Sequence, residues 1–397
     1  MLNHLHILAL GLIASPFSYA QQGCMDPAAN NYNPSATIEN HTCQYTVETL
    51  TFTASQEQLL PNYLRETSGL AYYNGLHWTH NDDSSSKIYG YNPTTAEVED
   101  SINLGIQVQD WEELQYLNGK FYAGDFGNNV NGARTNLRIF IYDIATHTLD
   151  TIRFNYVNQT SLMAVNANST NFDCEAFLVS EDKIYLFTKQ WGANQTELHV
   201  LQNVPGTQTT ELKGTYNCQG MITGATYIPN GILLVGYTQF LAPFMIHLKD
   251  FEDDNYFTSN KRRYQLNLGL HQVEAISFDP DRQIIGFSNE TFSMLGQTIP
   301  AKFLSYDYTN FTAYGSPAEG LNNQSINDFN GNPFYQLGQI LFSKEAVGSV
   351  KIIDTFGKEV FSGEITSDGL NTEKWNKGSY FVKTVEKEIV YRLQVVE

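Results

Sequence analysis

The chain has 397 residues, a formal net charge of −19, 13% aromatic residues and only 16% charged ones. Tyr, Phe, Thr, Asn and Gly, the residues of strands and turns, dominate, which argues for an all-β exported protein and against a helical or disordered one. The acidic balance argues against a nucleic-acid partner, since counterion release needs clustered Lys and Arg, and the one dense basic run, Lys261-Arg262-Arg263, reads as a solvated loop or strand edge.

Residues 1–20 read as a signal peptide. The run from Leu5 to Ile13 has the length of an apolar h-region, and Ser18-Tyr19-Ala20 places small residues where a signal peptidase inspects them. The n-region carries His4 and His6 in place of Lys or Arg. This run is too short to span a bilayer, and no later segment reaches about eighteen apolar residues, so no transmembrane segment is expected in the mature chain.

Residues 21–45 are rich in turn formers and lack apolar periodicity, so a disulfide must hold them. Cys24 and Cys43 bracket a short loop and are expected to pair. Cys174 and Cys218 are the candidates for a second bridge, although four cysteines allow three pairings. The order Gly23-Cys24-Met25-Asp26-Pro27, Asn31-Tyr32-Asn33-Pro34 and Cys43 resembles a cysteine-bracketed module of secreted proteins in bacteria with type IX secretion. Asp-rich copies of that module suggest calcium. Here only Asp26 and Glu39 supply carboxylates, against the roughly six to eight oxygens calcium takes, and the reading is a structural staple.

Residues 46–320 repeat one pattern. Ser68-Gly69-Leu70-Ala71-Tyr72, Glu112-Glu113-Leu114-Gln115-Tyr116, Glu175-Ala176-Phe177-Leu178-Val179, Thr223-Gly224-Ala225-Thr226-Tyr227 and Glu274-Ala275-Ile276-Ser277-Phe278 recur at steps of 44, 63, 48 and 51 residues. Each is followed by a turn, three of them Asn-Gly (Asn74-Gly75, Asn118-Gly119, Asn230-Gly231), and then by a second apolar strand. A period of about 40–50 residues with several strands per unit is what propeller blades require, because a lone blade cannot bury both faces. The expectation is a β-propeller of five or six blades. Whether a sixth blade or a closing strand from Val47–Thr53 completes it is left open.

A polar linker at 321–330 is expected to lead into a small C-terminal β-sandwich at 331–397, where alternation is clean and turn residues recur. Asn332-Pro333, Val350-Lys351-Ile352-Ile353-Asp354 with Gly357-Lys358-Glu359-Val360, Leu370-Asn371-Thr372 and Gly378-Ser379-Tyr380-Phe381-Val382 stand in an order that resembles the C-terminal sorting domain of type IX secretion. The resemblance implies recognition by the type IX machinery and delivery to the outer-membrane surface or the extracellular medium.

The repeat resembles a family as well. Glu66-Thr67-Ser68-Gly69-Leu70-Ala71 with His77-Trp78-Thr79-His80-Asn81-Asp82, then Asp110-Trp111-Glu112-Glu113-Leu114 with Tyr122-Ala123-Gly124-Asp125-Phe126-Gly127-Asn128-Asn129, then Asp173-Cys174-Glu175-Ala176-Phe177 with Ile184-Tyr185-Leu186-Phe187-Thr188-Lys189, are similar to the first three blades of an uncharacterised family of secreted propellers. Some relatives carry phytase-like or esterase-like labels. Asn128 stands where the family has Asp, and the Arg that follows Asn129 is Arg134 or Arg138.

The first strand of a propeller blade lines the channel, so the repeat places Ser68, Glu112, Glu175, Thr223 and Glu274 at equivalent points around it. Asp110 and Asp173 precede two of these; Asp82 and Asp125 end second strands, with Lys189 near the matching position. The candidate site is therefore Asp82, Asp110, Glu112, Asp125, Asp173, Glu175, Lys189 and Glu274, with Glu112, Glu175 and Asp125 as ligands for a divalent cation such as calcium. A ring of carboxylates repels itself, and something must offset it: a cation, Lys189, protonation or backbone N–H groups. No G-x-S-x-G elbow, H-E-x-x-H or C-x-x-C motif occurs. Three functions follow: a ligand-binding surface propeller, a cation-dependent hydrolase of phosphate esters or lactones, and a structural or adhesive surface protein.

Overall fold

The computed structural model describes residues 21–308, apart from 83–84, 252–253 and 295–296, together with shorter stretches between 334 and 395. The expected signal peptide at 1–20 and linker at 321–330 lie outside the described residues.

Five sheets follow one another along the chain. The first blade is Thr67–Tyr73, Leu76–Asn81, Lys87–Asn92 and Glu97–Asn103; the second is Glu113–Leu117, Lys120–Asp125, Arg138–Asp143 and Leu149–Asn155. Asp173–Val179, Lys183–Lys189, Thr196–Gln202 and Glu211–Tyr216 form the third. Met221–Ile228, Gly231–Tyr237, Pro243–Lys249 and Asn260–Asn267 form the fourth, and Val273–Asp279, Ile284–Asn289 and Lys302–Asp307 the fifth. Neighbouring strands within each blade run antiparallel. The inner strand of each blade packs on that of the next, and the fifth packs on the first, so the ring closes at five. The turns behave as their residues require: Asn74 and Gly75 (φ 51° and 79°) and Asn118 and Gly119 (φ 47° and 80°) take the two positive φ values of a type I′ hairpin.

Closure uses neither a sixth blade nor the Val47–Thr53 strand, the two possibilities that the sequence left open. Glu48–Thr51 lies parallel on the outer edge of the fourth blade, and the fourth strand of the last blade is Glu57–Leu59, paired antiparallel with Lys302–Asp307. A short segment from before the first blade thus ties the two ends of the ring together. A similar addition covers the second blade, where Gly206–Thr209 lies parallel to Leu149–Asn155. Both additions cover rows of backbone groups that an exposed edge would offer to another chain.

One apolar cluster fills each seam between blades. Trp78, Trp111 and Phe121 join the first to the second, and Phe126, Phe154 and Phe177 the second to the third. Phe187, Phe244 and Tyr256 join the third to the fourth, Phe287 and Tyr264 the fourth to the fifth, and Tyr91 with Phe303 the fifth to the first. Each fully buried aromatic contributes about 1.5–3 kcal/mol, so the seams hold the ring without help from the axis. They also separate the remaining cysteines. Cys174 lies in the seam of the second and third blades and Cys218 in the next, both as free thiols, so the expected second bridge is not formed. Their Sγ atoms instead contact backbone carbonyls of Ala176, Phe187 and Gly220.

The first described segment is pinned to the fourth blade. Cys24 and Cys43 are bridged, with Cα atoms 4.9 Å apart. Asp26 accepts from the Ala28 N–H and the Tyr45 hydroxyl and pairs with Lys249 at 3.2 Å. Glu39 accepts from the N–H groups of Met25, Asn40 and His41. Both carboxylates are thus engaged by the module and, for Asp26, by the fourth blade, as a staple needs. The basic triplet is not a solvated run. Lys261 donates to the Phe257 and Ser259 carbonyls, Arg262 pairs with Glu48, and Arg263 donates to the Cys218 carbonyl while lying over the Phe244 ring.

In the tail, Glu359–Glu364, Ser349–Asp354, Gly378–Thr384 and Val390–Val395 form one sheet, and Phe334–Leu337, Ile340–Ser343 and Leu370–Asn371 a second. Val350, Ile352, Tyr380 and Val382 make its core. Among the described residues no helix is long and apolar enough to cross a membrane.

Replacing Cys24 and Cys43 together by Ser frees a loop whose ends are 19 residues apart, a change of about 3 kcal/mol in loop-closure entropy. Limited proteolysis is expected to cut within residues 21–47 of this variant well before wild type, while the propeller remains protected.

Candidate functional site

Every inner strand breaks its pairing at one place. Registers shift between Ser68 and Ala71, Cys174 and Ala176, Ile222 and Gly224, and Val273 and Ala275. In the second blade Glu112 and Glu113 both face Gly124. These are β-bulges, and a bulge re-aims a side chain out of the strict alternation. The bulges carry Glu112, Glu175, Thr223 and Glu274, and Ser68 immediately precedes the bulge of the first blade. The two hydroxyls tie neighbouring blades: Ser68 donates to the Glu112 carbonyl at 2.6 Å and Thr223 to the Val273 carbonyl at 2.5 Å. The three glutamates are left to the channel.

The structure brings Glu112, Asp173 and Glu175 together, one carboxylate oxygen of each lying within 4.8 Å of the others; Asp82, Asp110 and Glu112 form a second such group. Glu112 belongs to both. The first group is buried throughout, whereas in the second Asp82 is exposed and Asp110 half-buried, so the cluster runs from the channel towards solvent. Lys189 stands at its inner end, 2.5 Å from Glu175 Oε2 and 3.1 Å from the Tyr237 hydroxyl, with its ammonium 4.4 Å from the centre of the Trp191 ring. Burial alone would push that ammonium down, but Glu175, Tyr237, Glu274 and Asp173 hold it well above its usual range.

The carboxylates differ in what offsets them. Asp173 accepts from the N–H groups of Asn128 (2.6 Å) and Cys174 (3.1 Å) and from the Trp191 indole (2.7 Å). Glu175 has Lys189. Glu112 has neither: its Oε1 is buried without a hydrogen-bond partner. Burial first, then Glu175, Asp82, Asp110 and Asp173, push the Glu112 carboxyl well above the ordinary range. Asp110 is pushed up to about 6 by burial and by Asp173, although Arg134 opposes this. Gly127 closes one wall, since a Cβ there would collide with Glu112 Oε1 and lie 2.6 Å from Asp110 Oδ2.

Asp125 does not join them. Its Oδ1 accepts from the N–H groups of Gln109 and Asp110 and from Arg134, and its Oδ2 from Arg138 at 2.8 Å. All its acceptor capacity is spent, so the expectation that it helps hold a cation is corrected. The reason is register. Lys189 pairs with Asp173 across the third blade and Tyr237 with Met221 across the fourth, and the Asp82 N–H bonds the Glu66 carbonyl at the same point of the first. Continuing Glu113–Gly124 outward puts Phe126 there in the second blade. Asp125 falls one residue short and so faces the other way. Both arginines that the resemblance left open serve it.

Three further groups were not read from the sequence. Tyr237 and Glu290 occupy the position of Lys189 in the fourth and fifth blades, a signal the repeat held once Lys189 was aligned. Burial, then Glu274, push Glu290 up to about 8. Glu113, fully buried beside Glu112, accepts from the N–H groups of Leu70 (2.9 Å) and Leu114 (2.8 Å) and thereby locks the first blade to the second. No spacing distinguishes it from its neighbour.

Residues 331–396 match the secretion system C-terminal sorting domain, so the chain carries a type IX sorting tail and is exported. No curated protein matches the chain. Among solved structures it is similar to one titled as the structure of U3-55K, at 9% identity over 60% of this chain and 68% of that one, with a TM-score of 0.31. It is also similar to the Cps50 (Swd1) β-propeller domain of Myceliophteria thermophila, at 9% identity over 83% and 84%, with a TM-score of 0.33. Likenesses at this level carry no argument here; the ring itself makes the fold a propeller.

With a native value of about 8 against 4.5 when unfolded, Glu290 binds an extra proton in the native state between those values. Its contribution to stability is complete below the lower value and is lost as pH rises through the window. His77, His80 and His247, lowered by burial to about 4, 3 and 3, act in the opposite sense below their unfolded value of 6.5. Because they act alike in both proteins, the expected result is that Glu290→Gln loses less melting temperature than wild type between about pH 5 and pH 8. Equal losses would remove Glu290 from the charged cluster.

Proposed function

We propose that this exported propeller holds a cation at the mouth of its channel, with Glu112 as the ligand shared by the two carboxylate groups. The observation that carries the reading is the buried, unpartnered Oε1 of Glu112. An isolated buried carboxylate is costly, and a cation placed between Glu112, Asp173 and Glu175 on one side and Asp82 and Asp110 on the other relieves that cost. Five carboxylates supply the hard oxygen ligands that calcium prefers. Lys189 serves the inner end of the cluster, and Asp125 and Glu113 belong to the frame, so the ring is part scaffold and part site.

The resemblance to phytase-like and esterase-like secreted propellers adds a catalytic extension. The exposed Asp82 and half-buried Asp110 give a bound ion a solvent side, from which a phosphate ester or lactone could complete its coordination and be polarised.

Calcium is expected to raise the melting temperature of the mature chain and a chelator to lower it. The gain is about 2.7 kcal/mol at a concentration one hundred times Kd. Glu112→Gln is expected to abolish the calcium shift yet raise the melting temperature of the metal-free protein, because it removes an uncompensated buried charge. Gly127→Ala is expected to abolish the shift by displacing Glu112 and Asp110. Melts of wild type that ignore calcium, other divalent ions and chelator alike would sink this reading.

A further inference from the structure

The longest step of the repeat, 63 residues from Glu112 to Glu175, has a structural counterpart. Between the second and third blades, residues 157–172 form an irregular stretch with no strand or helix. Loops of this length inside a compact domain are uncommon and are usually either functional or linker segments. It is built in place: the Val165 N–H bonds the Asn131 carbonyl, the Asn168 N–H the Asn129 carbonyl, and the Gln159 amide the Gly132 carbonyl at 2.9 Å. These partners sit on the loop that begins with Gly127 and carries Arg134, against Glu112 and Asp110.

This stretch is apolar where water reaches it. Met163 is 80% exposed, Leu162 51% and Val165 45%, and Val130 of the facing loop is 70% exposed. Gly132, Met163, Val165 and Phe172 line a cavity of about 310 Å³. Phe172 is the residue before Asp173, and Trp191, whose indole donates to Asp173, bonds the carbonyl of the lining residue Thr170 through its N–H at 3.3 Å, so one wall of the cavity is joined to the charged cluster. Exposed apolar groups gathered round one concavity mark a binding surface, and methionine suits such surfaces because it adapts.

We infer that the mouth and this rim form one composite site for a peptide segment in which a basic side chain adjoins an apolar one. The inference rests on the mouth being a cation site, as argued above. Charge complementarity selects the basic group: Asp82, Asp110, Glu112, Asp173 and Glu175 gather there against Lys189 and Arg134. Arg or Lys of the partner enters at Asp82 and Asp110, the solvent side of the cluster. The neighbouring apolar side chain enters the cavity, whose volume of about 310 Å³ exceeds that of one such group. Basic peptide and metal ion then compete for Glu112.

The test uses the mature chain and three blocked, fluorescein-labelled hexapeptides of Gly and Ser that carry centrally Leu-Arg, Ser-Arg or Leu-Glu. Fluorescence anisotropy is expected to show the Leu-Arg peptide binding at least roughly tenfold more tightly than either control, which corresponds to about 1.4 kcal/mol. Met163→Ser and Val165→Ser should weaken it by a similar factor while keeping the calcium shift of the melt. Equal binding of Leu-Arg and Ser-Arg, or of Leu-Arg and Leu-Glu, overturns the composite site. So does full displacement of the probe by hexylamine at the probe's own concentration, which would assign the pocket to a small amine. No peptide binding with the calcium shift present overturns this inference and leaves the ion site standing. Peptide binding without a calcium shift supports it and removes the metal ion. Neither signal removes both.

Discussion

A closed ring has one axis, and whatever stands on the inner strands is driven together there. In this propeller every inner strand has a bulge, and in three of the five blades it turns a glutamate out of the pleat. Their meeting is not a local choice of any blade but a consequence of closure by the five apolar seams. Large aromatic side chains hold those seams, and the stability they provide lets an axis with such unfavourable charge exist at all.

The fold answers the charge in four ways. Two arginines and two backbone N–H groups saturate Asp125. Backbone N–H groups of two blades receive Glu113, which makes a carboxylate into a fastener. An indole and two N–H groups receive Asp173. A buried ammonium, itself lying over Trp191 and Tyr237, receives Glu175. Glu112, central to both carboxylate groups, is left with a bare oxygen. Glu113 also keeps one buried oxygen without a partner, but its other oxygen fastens two blades, whereas Glu112 stands in both carboxylate groups, and that is what separates a site from a scaffold.

The edges follow the same economy. The propeller ties its ends with Glu57–Leu59, and the disulfide-bracketed segment leads through Glu48–Thr51 along the outer strand of the fourth blade, where Arg262 meets Glu48. A protein carrying a type IX sorting tail must cross an envelope and persist outside it. Covered strand edges there leave fewer backbone groups free for pairing with other chains.

Much of this was legible in the sequence by itself. Asn-Gly turns between apolar runs announced the hairpins, and their period announced blades. The bracket around a turn-rich segment announced the Cys24–Cys43 bridge, and the order of motifs in the tail announced the sorting domain. These signals are local, set by φ preferences, alternation and short loops. What the tertiary structure alone decided depends on register and on contacts between distant segments. Ring closure at five used Glu57–Leu59 rather than Glu48–Thr51, because the strand that completes the last blade is the one its neighbour's edge can reach. Cys174 and Cys218 stayed apart because each belongs to a different seam. Asp125 left the ring, and Tyr237 and Glu290 entered it, because side chains alternate with a period of two and a bulge shifts the count by one. Spacing in a sequence is blind to that shift, so it placed residues near the axis but could not say which of them face it.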